Sequence, residues 1–159
     1  MKTLIAYCSR HGSAEKIAHL LFVEIENGPV RLLDLSNEQL PENLKEYDQV
    51  IIGGSIHYGQ IQPSVKKFYQ RYFDELMHKR LGLYMCYMLE DKAEEEFNEA
   101  YPEELRNHAV ALGFFGGELL IDKMNFLEKF VVRRVMKETE PTFHLDETEV
   151  DSFINKMNH

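Results

Sequence analysis

The chain is short of positive charge and of cysteine, and it has no long apolar run. Lys and Arg total 18 against 27 Asp and Glu, a formal net charge of −9. That balance argues against non-specific nucleic-acid binding, which needs lysine and arginine to meet phosphates. The only cysteines are Cys8 and Cys86. They form no CxxC or other metal-ligand spacing. Each stands in an apolar run and is expected to be a buried thiol in a reducing compartment. No apolar stretch approaches the ~18 residues that cross a bilayer. The first residues run directly into a strand pattern, without a charged leader and apolar signal core. The expectation is a cytoplasmic protein that touches a membrane, if at all, from its inner face.

Several nucleotide signatures are missing as well. There is no GxxxxGK[ST] and no GxGxxG, so neither a Walker A loop nor a dinucleotide fingerprint is present. A phospho-receiver domain needs carboxylates after its first strand and at the end of its third; Tyr7-Cys8-Ser9 and Gly53-Gly54-Ser55 stand there instead. The seven histidines show no ligand spacing, so no metal site is expected. No side chain is assigned as acid, base or nucleophile.

What the chain does have is alternation. Its 159 residues fit one domain. Thr3 to Tyr7 is a continuous apolar run, the mark of a strand covered on both faces. Ala14, Ile17, Ala18, Leu21 and Ile25 then follow at helical spacing. Val30 to Leu35, Gln49 to Ile52, Leu81 to Met88 and Ala109 to Phe115 read as further strands. Helices are expected from Pro63, across Ala93 to Arg106 with an interruption at Pro102, over 124–136, and from Asp146, where Glu149 completes a capping-box pattern. Strands separated by helices predict a doubly wound parallel α/β sheet. Ligands of such sheets bind beyond the carboxyl ends of the strands.

Three turns lie there. Ser9-Arg10-His11-Gly12-Ser13 opens a helix, whose first N–H groups and dipole attract anions; alternatively, Ser13 merely caps that helix. GGSIHYGQIQPS, residues 53–64, carries an aromatic ring at Tyr58 beside Gly59, which is free to take positive φ. Tyr87-Met88-Leu89 follows the fourth strand and is a candidate by position alone.

A strand, then Ser-x-x-Gly-Ser, then a helix, with SIHYG after the third strand, resembles the flavodoxin family. MKTLIAYCSRHGSAEKIA, YDQVIIGGSIHYGQ and GGELLIDKMNFLEKFVVRRVMK together resemble its menaquinone-dependent protoporphyrinogen oxidase branch. The resemblance implies a flavodoxin-like five-stranded sheet in the order 2-1-3-4-5, bound FMN, and oxidoreductase activity in heme biosynthesis. It implies that Ser9, Arg10, His11, Gly12, Ser13 and Ala14 line the FMN phosphate. Ser55, Ile56, His57, Tyr58 and Gly59 would flank the ring, Tyr58 stacking on it, and Tyr87, Met88 and Leu89 would close from the other side. The family usually has Thr where this chain has Ala14, which removes one hydroxyl donor.

Charge is unevenly spread. Residues 90–104 hold eight acidic residues and one lysine, whereas residues 123–137 hold five basic residues and one glutamate among apolar side chains. The basic, amphipathic segment at about 117–140 would pack on the sheet or meet a quinone-bearing membrane, a protein partner or an anionic porphyrinogen. Two alternatives stand beside the enzyme reading. One is an electron carrier that docks redox partners through its acidic face; the other is a flavodoxin fold without FMN that serves as a binding module.

Overall fold

Val50, Ile51 and Ile52 are all fully buried because helices cover both faces of the strand that carries them. The computed structural model describes residues 1–10, 12–87, 90–116 and 147–159. The sheet is built from β1 (Thr3–Tyr7), β2 (Val30–Asp34), β3 (Gln49–His57), β4 (Gln60–Ile61), β5 (Arg80–Tyr87) and β6 (Ala111–Gly116). The helices are α1 (Ser13–Glu24), α2 (Pro63–Arg71), α3 (Phe73–Leu76), α4 (Ala93–Ala100), α5 (Glu103–His108) and α6 (Glu147–Asn158). The main path runs β2-β1-β3-β5-β6, every pair on it parallel. That is the expected order 2-1-3-4-5 with one addition, the short β4, which pairs antiparallel with β3.

Side chains alternate between the two faces, as the period of a strand requires. On one face Leu4, Val50, Ile52, Leu83 and Met85 pack with Val65 and Phe68 of α2, Phe97 of α4 and Leu105 of α5. On the other, Ile5, Ile51, Tyr84 and Cys86 pack with Ile17 and Leu21 of α1 and with Val150, Phe153 and Met157 of α6. Each such large side chain contributes roughly 1.5–3 kcal/mol by leaving water. Both cysteines are free and buried.

Pro63 occupies the first turn of α2, where its missing N–H is harmless. Pro102 divides the acidic stretch into two helices, since α4 ends at Ala100 and α5 begins at Glu103. At the far end of the sheet Asn158 ties α6 to α1. Its Oδ1 accepts the Glu26 N–H at 2.9 Å and its Nδ2 donates to the Glu24 carbonyl at 3.0 Å. The expected helix over 124–136 and the basic segment at about 117–140 lie outside the described residues, as do His11, Met88 and Leu89.

Candidate functional site at the carboxyl edge of the sheet

Tyr7 pairs with Gly53, and Gly53 with Tyr84. The three central strands are parallel, so β1, β3 and β5 present their carboxyl ends at one edge of the sheet. Cys8 continues the link beyond β1: its N–H donates to the Gly53 carbonyl at 3.1 Å, and its Sγ lies 3.2 Å from Ser36 Oγ.

The segment after β1 turns on Gly12, which has a left-handed φ of 91° and caps α1 without a side-chain hydrogen bond. The Gly12 N–H donates to Ser9 Oγ at 3.0 Å, and that hydroxyl retains its own hydrogen to give. The reading of Ser13 as the cap does not hold: Ser13 is the first helical residue, and it is buried. The N–H groups of Ser13, Ala14 and Glu15 belong to the first turn, where a helix supplies no acceptors of its own. A Cβ at Gly12 would meet nothing within 4 Å, so space lies open above the turn. Arg10 is exposed at its rim. Ala14 is fully buried in the cluster under α1, and its carbonyl accepts a hydrogen bond from the Tyr84 hydroxyl at 2.8 Å.

The segment after β3 is a hairpin. Ile56 pairs with Ile61 and His57 with Gln60. Tyr58 and Gly59 form the turn with φ of 50° and 74°. Two successive positive values define a type I′ turn, whose twist suits a tight hairpin. Glycine takes this conformation freely; a tyrosine pays about 1–2 kcal/mol for it. The Tyr58 side chain is 92% exposed; its ring meets His57 edge-on, with centroids 4.2 Å apart. Ser55, expected to face the ring, is held by Gln62: its N–H donates to Gln62 Oε1, and Gln62 Nε2 donates to its hydroxyl. Ile56 is buried beneath the turn.

The strand β4 and the clamp by Gln62 go beyond what the sequence pattern predicts. The signal for the hairpin was present in Ile56-His57-Tyr58-Gly59-Gln60-Ile61, two apolar residues spaced symmetrically about a glycine-containing turn. The role of Gln62 depends on the fold that brings it back to Ser55.

After β5, Tyr87 is half-buried at the strand end. Cys86, just before it, is buried, and desolvation pushes its thiol far above the usual range, so it is no thiolate nucleophile. On α4, Glu94, Glu95 and Glu99 are exposed. No helix among the described residues is long and apolar enough to cross a membrane.

The model of the family described as "Flavodoxin domain" matches residues 4–146. The chain is 25% identical over 145 residues to protoporphyrinogen IX dehydrogenase [quinone] of Escherichia coli K12, covering 86% of this chain and 80% of that protein. Among solved structures, an archaeal flavodoxin superposes with a TM-score of 0.58 at 17% identity over the whole of both chains. Rubredoxin oxygen:oxidoreductase of Desulfovibrio gigas superposes with a TM-score of 0.60 at 16% identity; the match covers 98% of this chain but 36% of that one. The residues present fit FMN: a helix N-terminus with open space over Gly12 suits a phosphate, and an exposed phenol on a projecting turn suits a flat ring. The chain belongs to the flavodoxin-domain family, and FMN is the cofactor such a domain binds.

Proposed function

We propose that the chain is an FMN-dependent oxidoreductase that takes hydrogen from a porphyrinogen and passes it to a quinone. The observation that carries this reading is the convergence of the ends of β1 and β5 and of the Tyr58 hairpin at one sheet edge. The likeness to a quinone-dependent protoporphyrinogen dehydrogenase over most of both chains supports it. Bound FMN supplies the redox chemistry, and the protein supplies binding, orientation and electrostatics.

In this reading the hydroxyls of Ser9 and Ser13 and the N–H groups of Ser13, Ala14 and Glu15 hold the phosphate. Arg10 and His11 stand in the same turn. Ala14 offers only its backbone, so charge-assisted bonding there rests on N–H groups. Tyr58 stacks on the ring and gives up its exposure in doing so. Ile56, His57 and Gly59 form the same wall, and Ser55 supports it through Gln62. Tyr87, Met88 and Leu89 form the opposite wall. Arg133 and Arg134, in the basic segment, attract the carboxylates of the porphyrinogen or an anionic membrane surface that holds the quinone.

A second reading is an electron carrier that meets a basic protein partner. The exposed carboxylates of Glu94, Glu95 and Glu99 on α4 and of Glu103 and Glu104 on α5 favour it. The absorption spectrum of the purified chain, with and without added FMN, tests the common foundation. A steady-state assay with protoporphyrinogen and a menaquinone analogue then separates the two. Turnover that falls in an Arg133→Glu, Arg134→Glu variant supports the enzyme. A flavin-loaded protein with no turnover leaves the carrier, and a chain that takes up no flavin overturns both.

A further inference from the structure

Tyr84 stands in the middle of β5 and is fully buried, yet its side chain ends at α1. The ring passes beneath Gly53 of the neighbouring strand, so closely that a Cβ there would lie 1.8 Å from Tyr84 Cζ. Glycine at position 53 is what lets the phenol cross under β3. Beyond it the hydroxyl donates to the Ala14 carbonyl at 2.8 Å. Phe115 and Phe153 hold the ring at centroid distances of 5.9 and 6.4 Å, so its direction is set by packing.

The Ala14 carbonyl belongs to the same rigid peptide plane as the Glu15 N–H. In a helix that N–H points toward the N-terminus, here toward the open space over Gly12, and has no intrahelical acceptor. A hydrogen bond received at the carbonyl fixes the plane and polarises it, making the N–H at its other end a stronger donor. Burial raises the pKa of the Tyr84 phenol well above its ordinary value, so the hydroxyl remains a donor throughout the neutral range. We infer that Tyr84 is the positioning residue of the phosphate loop. It holds the Ala14–Glu15 peptide from behind, so that recognition of the FMN phosphate, and not of the ring, depends on a side chain that touches neither. The inference rests on the assignment of residues 9–14 to the phosphate.

Tyr69 provides a matched control. It is also buried, and its hydroxyl likewise donates to a backbone carbonyl, that of Ala100 at 3.0 Å. That carbonyl belongs to α4, not to α1 or to Tyr84. The test is titration of the full chain, freed of flavin, with FMN and with riboflavin, which has the same ring and no phosphate. Tyr84→Phe is expected to weaken FMN binding about threefold to tenfold, the range of one neutral hydrogen bond, and to leave riboflavin binding unchanged. Tyr69→Phe is expected to leave the ratio of the two affinities as in the wild type, whatever it does to thermal stability. Equal losses for both ligands, no loss for either, or the same change in ratio from both variants overturns the inference. A wild-type chain that binds FMN and riboflavin equally well overturns the phosphate assignment itself, and Tyr84 with it. If Tyr84→Phe does not fold, amide exchange in the wild type decides. The Glu15 N–H should be protected by FMN and not by riboflavin, and equal protection by both overturns the proposal.

Discussion

The side-chain amide of Gln62 grips Ser55 with both of its ends, accepting the Ser55 N–H at 3.0 Å and donating to its hydroxyl at 2.8 Å. Gln62 thereby closes the base of the hairpin whose tip carries Tyr58. Replacing it by Ala leaves two polar groups of Ser55 without these partners. Gln62→Ala is expected to lose about 1–3 kcal/mol of stability and, with residues 55–59 as the proposed ring wall, to weaken riboflavin and FMN binding alike. Urea unfolding and flavin titration check both parts; unchanged flavin affinity would mean that the hairpin holds its shape without the clamp.

Tyr58 should behave in the opposite way in the flavin-free chain. Its φ of 50° is unfavourable for a side chain, and its ring is almost wholly in water. Tyr58→Gly is expected to stabilise the flavin-free chain or leave it unchanged and, with Tyr58 as the proposed stacking face, to lower flavin affinity. Gly59→Ala meets no steric obstacle but must hold φ near 74°, a strain of about 1–2 kcal/mol. Parallel unfolding and binding curves separate the two effects.

Tyr7 makes stability sensitive to alkali. Burial first, then the charges of Asp34, Glu15 and Glu38, push its phenol up to about 12 from 10.0. In the unfolded chain the phenol ionises near its ordinary value, so the folded chain binds more protons between those limits. Its contribution is full below pH 10 and is lost as pH rises toward 12. Tyr7→Phe is expected to flatten the fall in stability across that window, as measured by urea unfolding at successive pH values. A slope identical to the wild type would assign the alkaline loss to other groups.

Glu96 acts in the acid range. Its Oε2 is buried with no hydrogen-bond partner among the described residues. Desolvation is the main cause that raises its pKa above 4.5; Lys92 lowers it, and Glu95, Glu99 and Asp91 add to the rise. A carboxyl whose folded pKa is raised destabilises once ionised, and the penalty disappears as pH falls through the unfolded value. Glu96→Gln is therefore expected to raise stability at pH 7, with a gain that vanishes below about pH 4.5. A gain that persists at pH 3 would point to a cause other than charge.

The parallel core was legible because burial on both faces leaves a plain trace in sequence. Thr3 to Tyr7 and Gln49 to Ile52 are runs with no polar alternation to confuse them, and Gly59 does take the positive φ that its place beside Tyr58 suggests. What was not legible depends on partners far apart in the chain. Gln62 is an ordinary polar residue until the hairpin returns it to Ser55. Ser13 resembles a cap until Gly12 is seen to hold that position. The contact of Tyr84 with Ala14 spans 70 residues, and no local pattern could announce it. The β4 pairing has no strand period of its own, being two residues long; its one trace is the symmetric placing of Ile56 and Ile61 about the turn.

The 1.8 Å approach at Gly53 also has a hereditary consequence. A side chain can arise at position 53 only after Tyr84 has given way to something smaller, and that change releases Ala14. The reverse order forces a methyl group into an aromatic ring, an overpacking cost of at least 1–3 kcal/mol by the usual scale. Positions 53 and 84 are therefore expected to descend together through the lineage and, on the role proposed for Tyr84, to drift only in descendants that no longer select for a phosphorylated ligand.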